Sequence, residues 1–61
     1  MTLSYLRYKF GDSPIEYELV KEMEFCYDWY VAGKFIGQVS QDQLWRYTEG
    51  MTIIHSVYEE D

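Results

Sequence analysis

Hydrophobic and polar side chains alternate along the stretch from Ile15 to Val31, and this alternation predicts extended structure. Every second residue from Ile15 onward is apolar or aromatic, except Lys21. Carboxylates occupy five of the eight positions in between: Glu16, Glu18, Glu22, Glu24 and Asp28. Because successive side chains of a strand point to opposite faces, we expect an aromatic core face and an acidic outer face. The stretch would form one long strand, or two strands in phase with a bend near Lys21–Glu22.

A shorter alternating stretch, Leu3 to Phe10, predicts a first strand, and the residues after it, 11–14, favour a turn. A hairpin closed at this turn pairs residues of matching character: Leu6 with Leu19, Tyr8 with Tyr17, Arg7 with Glu18 and Lys9 with Glu16. Agreement on both faces supports this register. The charged pairs are first interpreted as ion pairs, each contributing about 0.2–1 kcal/mol. Glu22, Glu24 and Asp28 are left without an obvious partner.

The chain turns again at residues 32–34 and enters a predicted strand, Phe35 to Val39. A type II′ turn at Gly33-Lys34 fits this connection, and so does a three-residue loop. The two alternatives place opposite sets of residues on the core side, so the register of this hairpin stays open.

A short helix is predicted from Gln41 to Glu49. Ser40 is a favourable N-cap, Gln43 completes a capping box, and Gly50 suits the position after the helix. The residues expected to face the sheet form a stripe: Leu44, Tyr47, Thr48 and Met51.

A final strand is predicted from Met51 to Tyr58, followed by a frayed acidic tail at residues 59–61. The chain is thus expected to be a single small α+β domain spanning residues 1–61. It would have β-β-β-α-β order and an antiparallel sheet with one short helix packed on its aromatic face. Either sheet edge could receive the last strand. Trp29 is expected in the core.

The composition limits how so small a domain can be stabilised. A chain of 61 residues usually needs disulfides, a metal or self-association in addition to its core. The single cysteine, Cys26, excludes an internal disulfide and fits a reducing cytoplasm. We expect no membrane span and no signal peptide, because no apolar run is long enough and Arg7 and Lys9 interrupt the first ten residues. Seven Tyr, three Phe and two Trp exceed what one small core needs, so some should lie at an interface.

The net charge of −6, from 11 acidic and 5 basic residues, indicates the class of partner. Direct binding to nucleic acid requires Lys and Arg against the phosphates, and attachment to anionic membranes requires basic clusters. Both are disfavoured by an acidic chain, whereas a basic protein partner is favoured.

No enzyme motif is present in the sequence. The four glycines form neither a P-loop nor a dinucleotide-binding fingerprint. His55 is expected to be a partly exposed strand residue, and Cys26 a small half-buried hydrophobe. Glu22 and Glu24, about 7 Å apart along a strand, could form a glycosidase pair or a loose Ca²⁺ site, but the domain is small for a substrate cleft. We therefore expect no catalysis, cofactor or metal.

The acidic row is the candidate functional feature. With Tyr30 as an aromatic anchor, it is predicted to bind a basic groove, such as that of a nucleic-acid-binding protein, by imitating a nucleic-acid backbone. This would make the protein an inhibitor or regulator. In the alternative, the chain is a structural subunit or obligate homodimer whose acidic face is only solvated. The predicted partner-binding residues are Glu16, Glu18, Glu22, Glu24, Asp28 and Tyr30.

Overall fold

The computed structural model describes residues 1–60, and in these it has five strands and one short helical segment. The strands are β1 (Thr2–Lys9), β2 (Tyr17–Met23), β3 (Cys26–Val31), β4 (Lys34–Ser40) and β5 (Thr52–Glu59). Between β4 and β5, a 3₁₀ turn (Gln41–Gln43) leads into α1 (Leu44–Thr48). All strands form one antiparallel sheet in the order β4-β3-β2-β1-β5. The predicted class, a small α+β domain with an antiparallel sheet and one short helix, is confirmed.

The predicted element order is wrong by one strand, because the chain reverses within the stretch from Ile15 to Val31. β2 and β3 form a hairpin around Glu24–Phe25, so the predicted long strand is wrong, and so is the alternative of two strands in phase. Near the predicted bend, the register of the β2–β3 ladder shifts between Lys21 and Met23. A straight strand of that length would span about 56 Å, whereas the longest dimension of the molecule is 34 Å.

The alternating pattern continues through this reversal because of the hairpin register. Leu19 lies opposite Trp29, and Lys21 lies opposite Tyr27, so odd-numbered residues meet odd-numbered residues. Paired residues of an antiparallel ladder lie on the same face. The core face predicted for a single strand is therefore shared by two neighbouring strands.

The predicted register between β1 and β2 is confirmed for Leu6, Tyr8 and Arg7, which lie opposite Leu19, Tyr17 and Glu18. The fourth predicted pair is wrong. β2 begins after Glu16, and Lys9 lies opposite Thr52 of β5. Glu16 is instead near Arg7, with 3.7 Å between Nε and Oε1.

The core lies on one face of the sheet. Its buried members come from four strands: Leu6, Tyr8, Leu19, Tyr27 and Val39. Trp29, Leu44 and Met51 pack around them, as predicted, whereas Trp45 is 61% exposed. Tyr47 of α1 lies with its ring 5.0 Å from that of Trp29. No helix in residues 1–60 is long and apolar enough to span a bilayer.

The predicted capping box is wrong, and the helix predicted from Gln41 to Glu49 is present as a 3₁₀ turn, Gln41–Gln43, followed by α1, Leu44–Thr48. Ser40 has extended backbone angles and occupies the N-cap position, but its side chain makes no capping hydrogen bond. The backbone N–H of Gln41 instead donates to the carbonyl of Phe25, at 2.9 Å. This bond joins the start of the helical segment to the β2–β3 hairpin, and the first turn is 3₁₀.

β5 joins the sheet beside β1, which settles the edge that the sequence left open. The strand continues to Glu59, opposite Thr2, so the predicted frayed tail is wrong at Glu59. Asp61 of that tail lies outside the described residues.

The β3–β4 connection is a two-residue turn at Ala32-Gly33, with Val31 opposite Lys34. Both turn residues have positive φ, 53° for Ala32 and 82° for Gly33. This combination is typical of a type I′ turn, so the predicted type II′ turn at Gly33-Lys34 is wrong.

Ala32→Asn is expected to stabilise the protein, because asparagine tolerates the left-handed region better than alanine. The free energy of unfolding should rise by about 0.5–1 kcal/mol, and the Tm by about 2–8 °C. Thermal unfolding followed by circular dichroism measures the change. Ala32→Val is the control and should destabilise, since a β-branched residue disfavours positive φ. Equal Tm values for the two variants would contradict the turn assignment.

Alkaline pH is expected to destabilise the protein through Tyr8 and Tyr27. Burial raises the pKa of both side chains above the usual 10. The folded state therefore holds these protons more tightly than the unfolded state, and the resulting stability is complete below pH 10 and lost as the pH rises above 10. Denaturant unfolding over this range should show the decline, and Tyr27→Phe should make it shallower. A decline of equal slope in Tyr27→Phe would contradict the assignment.

Candidate functional site

The structure separates the predicted acidic row into three places. Glu18 and Asp28 lie on the sheet face opposite the core, called here the outer face. Glu22 and Glu24 lie at the closed end of the β2–β3 hairpin, and Glu16 precedes β2. Within the ladder, Glu18 lies opposite Tyr30 and Asp28 lies opposite Val20, so the two carboxylates of the outer face are not paired with each other. The outer face is formed by residues of three strands: Tyr5, Arg7, Glu18, Val20, Asp28 and Tyr30.

Hydrogen bonds hold the carboxylates of the outer face in place. The hydroxyl of Tyr5 donates to Glu18 Oε2 at 2.6 Å, and this bond is the main reason why the pKa of Tyr5 is raised. The side-chain amide of Gln38 donates to Asp28 Oδ1 at 3.2 Å. Glu18 thus has a hydroxyl partner where Arg7 was predicted. Arg7 and Glu16 are both about half exposed, so their ion pair contributes about 1 kcal/mol at most.

Tyr30 lies on the outer face as part of an aromatic pair. Its ring is 5.7 Å from that of Phe35 in an edge-to-face arrangement, and Phe35 is largely exposed. Tyr30 also lies beside Glu18 in the ladder. The predicted anchor is therefore next to a predicted carboxylate.

The closed end of the β2–β3 hairpin combines acidic and large apolar side chains. We call residues Glu22, Met23, Glu24 and Phe25 the hairpin tip. Met23 is 59% exposed and Phe25 is 64% exposed, although both were predicted on the core face. Within residues 1–60, neither Glu22 nor Glu24 has a cationic partner within 4 Å. At the tip, two carboxylates that have no cationic partner in residues 1–60 thus alternate with two exposed apolar side chains.

Phe25 has an unfavourable backbone conformation for its residue type. Its φ is 64°, in the left-handed region that glycine and asparagine favour. This conformation costs a residue with a side chain about 1–2 kcal/mol. The bond from Gln41 to the Phe25 carbonyl helps to hold the turn. A large exposed phenylalanine thus occupies a position suited to glycine.

An open cleft of about 630 Å³ lies beside the hairpin tip. It is lined by residues from one end of β1, β2 and β3, from the hairpin tip and from the 3₁₀ turn: Thr2, Lys21, Glu24, Phe25, Tyr27 and Gln41. Lys21 lies 3.9 Å from Glu59, with Nζ near Oε2, so the cation of the cleft has a carboxylate partner. The wall formed by Glu24 and Phe25 therefore carries a carboxylate that has no cationic partner in residues 1–60 and an exposed aromatic ring.

The molecule is most acidic at the end that carries the hairpin tip. β5 runs antiparallel to β1 and ends opposite Thr2, which brings Glu59 to the same end as Glu22 and Glu24. At the opposite end, Lys9 and Lys34 accompany the acidic residues of the loops. This asymmetry gives the tip a negative field over a surface larger than the hairpin itself.

The sequence pattern did not identify Met23 and Phe25 as surface residues, because the strand residues on both sides of them keep the odd-numbered phase. The ladder itself shifts between Lys21 and Met23, so that Met23 lies opposite Cys26. One signal was present: Lys21, Glu22 and Glu24 are weak strand formers that interrupt a stretch of strong ones. Such an interruption marks a reversal as readily as a bend. With the reversal known, the residues between the strands become the exposed turn.

The chain has one histidine and one cysteine besides its acidic side chains. In residues 1–60, no three His, Cys, Asp or Glu side chains are grouped so that they could hold a metal. His55 lies on β5 with its ring 5.9 Å from that of Tyr5, and Cys26 is a free, half-buried thiol. No protein-family model, curated protein or solved structure matches the chain. Function is therefore inferred from the geometry of the hairpin tip and outer face.

Phe25→Gly is expected to stabilise the protein despite the loss of an aromatic side chain. It relieves about 1–2 kcal/mol of backbone strain and costs about 0.5–1 kcal/mol of chain entropy, for a net gain of about 0.5–1 kcal/mol. Denaturant unfolding measures this gain. Met23→Gly is the matched control, similarly exposed but without positive φ, and it should destabilise. Destabilisation by Phe25→Gly would show that the ring supports the fold.

Proposed function

We propose that the chain is a non-enzymatic, cytoplasmic protein-binding domain, an inhibitor or regulator that occupies a basic surface of a partner protein. The observation that carries this proposal is the hairpin tip, where two carboxylates without a cationic partner in residues 1–60 accompany the exposed side chains of Met23 and Phe25. Carboxylates provide complementarity to a basic partner, and large apolar side chains provide contact area.

The charge distribution supports rapid, oriented association. Glu22, Glu24 and Glu59 share one end of a chain whose net charge is −6. Such a field raises the association rate with a positively charged surface and orients the acidic end toward it. Because exposed charges are screened by salt, binding should weaken as ionic strength rises.

Aromatic anchors support affinity beyond what charge supplies. Interface energy is concentrated in a few well-packed residues, often aromatic, while charges at the rim contribute little. Phe25 is the anchor at the tip, and Tyr30 with Phe35 extends the surface over the outer face. We take α1 to cover the opposite face, as its contacts with Trp29 and Tyr8 support, so that the outer face is open to the partner.

A nucleic-acid-binding protein is the partner class that this surface fits best. Its Lys and Arg channel is built to neutralise phosphates and stays positively charged when nucleic acid is absent. Glu22 and Glu24 on the tip, with Glu18 and Asp28 on the outer face, would imitate that ligand. In the alternative, the acidic surface only keeps the domain soluble, and partner capture would then be insensitive to its charge.

Charge reversal at the tip is expected to abolish partner capture. Tagged protein is incubated with host lysate at low and moderate salt, with and without competing DNA. The wild type should capture a basic nucleic-acid-binding protein at low salt, and DNA should displace it. Glu22→Lys with Glu24→Lys should lose this capture without unfolding, because both side chains are exposed. Phe25→Gly should weaken binding about tenfold or more, through loss of the anchor, in a protein of undiminished stability.

Asp12→Lys with Glu49→Lys is the matched control. Both residues are exposed and lie near the opposite end of the sheet, so the double variant changes the net charge equally. It should retain capture. If both double variants bind as the wild type does, the acidic surface is only solvated. If both lose binding equally, net charge is responsible and the tip has no special part.

A further inference from the structure

β5 is an edge strand whose side chains are exposed on both faces. Of its eight residues, Ser56 is partly buried and the others are exposed. Four are large apolar side chains, between 37% and 54% exposed: Ile53, Ile54, Val57 and Tyr58. On its free side, the strand also presents backbone N–H and C=O groups that have no neighbouring strand in residues 1–60.

β5 has few of the features that usually protect an edge. Natural edge strands carry lysine, proline or inward charges that prevent pairing with another chain. β5 has no Lys, Arg or Pro, and from Thr52 to Tyr58 it has no carboxylate. The other edge, β4, begins with Lys34 and presents two exposed large apolar side chains, Phe35 and Ile36, where β5 presents four. The edge with the larger exposed apolar surface is therefore β5.

We propose that β5 is the interface of a symmetric homodimer, in which two copies pair antiparallel about Ser56 and form one continuous ten-stranded sheet. Ser56 would lie opposite Ser56 of the second copy, His55 opposite Val57, and Ile53 opposite Tyr58. Such isologous pairing is self-complementary, since each contact occurs twice. Backbone hydrogen bonds supply much of the affinity in this mode of association.

The observed faces of β5 agree with this register. Ile53, Ser56 and Tyr58 lie opposite Tyr8, Leu6 and Leu3, on the core side. His55 and Val57 lie opposite Arg7 and Tyr5, on the outer face. Residues paired across antiparallel strands must share a face. The irregularity that leaves Ile54 as an extra residue allows Ile53 to meet Tyr58, an aromatic and β-branched pair that stabilises sheets.

The charge distribution selects a second copy as the occupant. Two chains of net charge −6 repel, so an interface between them must keep carboxylates apart. Antiparallel pairing through β5 places the two hairpin tips at opposite poles. It also brings Glu59 of one copy toward Thr52 of the other, and Lys9 lies on the neighbouring strand opposite that Thr52. The acidic end of each copy thus faces the more basic end of its partner.

A cysteine placed at the symmetry axis tests the register. Ser56→Cys is made in a Cys26→Ser background, so that it is the sole thiol. Directly opposed residues have Cα atoms about 4.5–5.5 Å apart, within the range of a disulfide. Oxidation should convert the variant to a cross-linked dimer. Thr52→Cys in the same background is the control and should remain uncross-linked, since its counterpart would be about 26 Å away. Equal cross-linking of both variants would overturn the proposed register.

Sedimentation velocity tests the dimer itself. The wild type should approach twice the chain mass of 7.4 kDa as its concentration rises, and moderate salt should not dissociate it. Ile53→Lys should shift the protein to monomer. Ile36→Lys on β4 is the matched control, because the two isoleucines are 54% and 51% exposed, and it should stay dimeric. Circular dichroism confirms that both variants are folded.

The possible results separate this interface from the proposed function. A monomeric wild type at millimolar concentration, or dissociation by Ile36→Lys with no effect of Ile53→Lys, overturns the β5 interface. Glu22→Lys with Glu24→Lys should remain dimeric, since the hairpin tips lie away from the axis. Dimerisation of this double variant therefore tests the β5 interface independently of whether the hairpin tip binds a basic partner.

Discussion

The hydroxyl group of Tyr8 joins the parts of the molecule that would otherwise separate. It accepts a hydrogen bond from the indole N–H of Trp29 at 3.1 Å and donates to the carbonyl of Tyr47 at 3.2 Å. The Tyr8 side chain is fully buried, so water cannot replace either hydrogen-bond partner if that partner is lost. These two bonds connect β1, β3 and α1. A helix of five residues has little stability alone, and its position depends on such contacts.

The packing around this hydroxyl accounts for the high aromatic content. Tyr8 stacks on Tyr17 with 5.3 Å between ring centroids, and Tyr17 stacks on Trp29 at 6.1 Å. Aromatic side chains bury a large area per residue, which suits a domain too small for a thick core. Several other aromatic and aliphatic side chains are exposed, on the hairpin tip, β4, α1 and β5. The expectation that the core cannot contain all of the aromatic side chains is confirmed by the exposure of several of them.

Sequence reasoning was most successful where two independent patterns agreed. The β1–β2 register followed from apolar pairs on one face and opposite charges on the other, and it placed Leu6, Tyr8 and Leu19 correctly. It failed at Phe25, because a hairpin with this register repeats the phase of a straight strand. The position of β5 depends on contacts between the two ends of the chain, which no local pattern contains. The hairpin tip could not be predicted until the reversal was known, since two of its four residues, Met23 and Phe25, had been assigned to the core.

The connection between β1 and β5 also bears on the order of folding. β1 to β4 are neighbours in sequence and in space, joined by short connections that can close locally. Val57, by contrast, lies opposite Tyr5, from the other end of the chain, so its pairing requires closure of nearly the whole polypeptide. Contacts of such high sequence separation slow folding. We expect the four-stranded meander to form first, with β1 as a temporary edge, and β5 to complete the sheet by covering it.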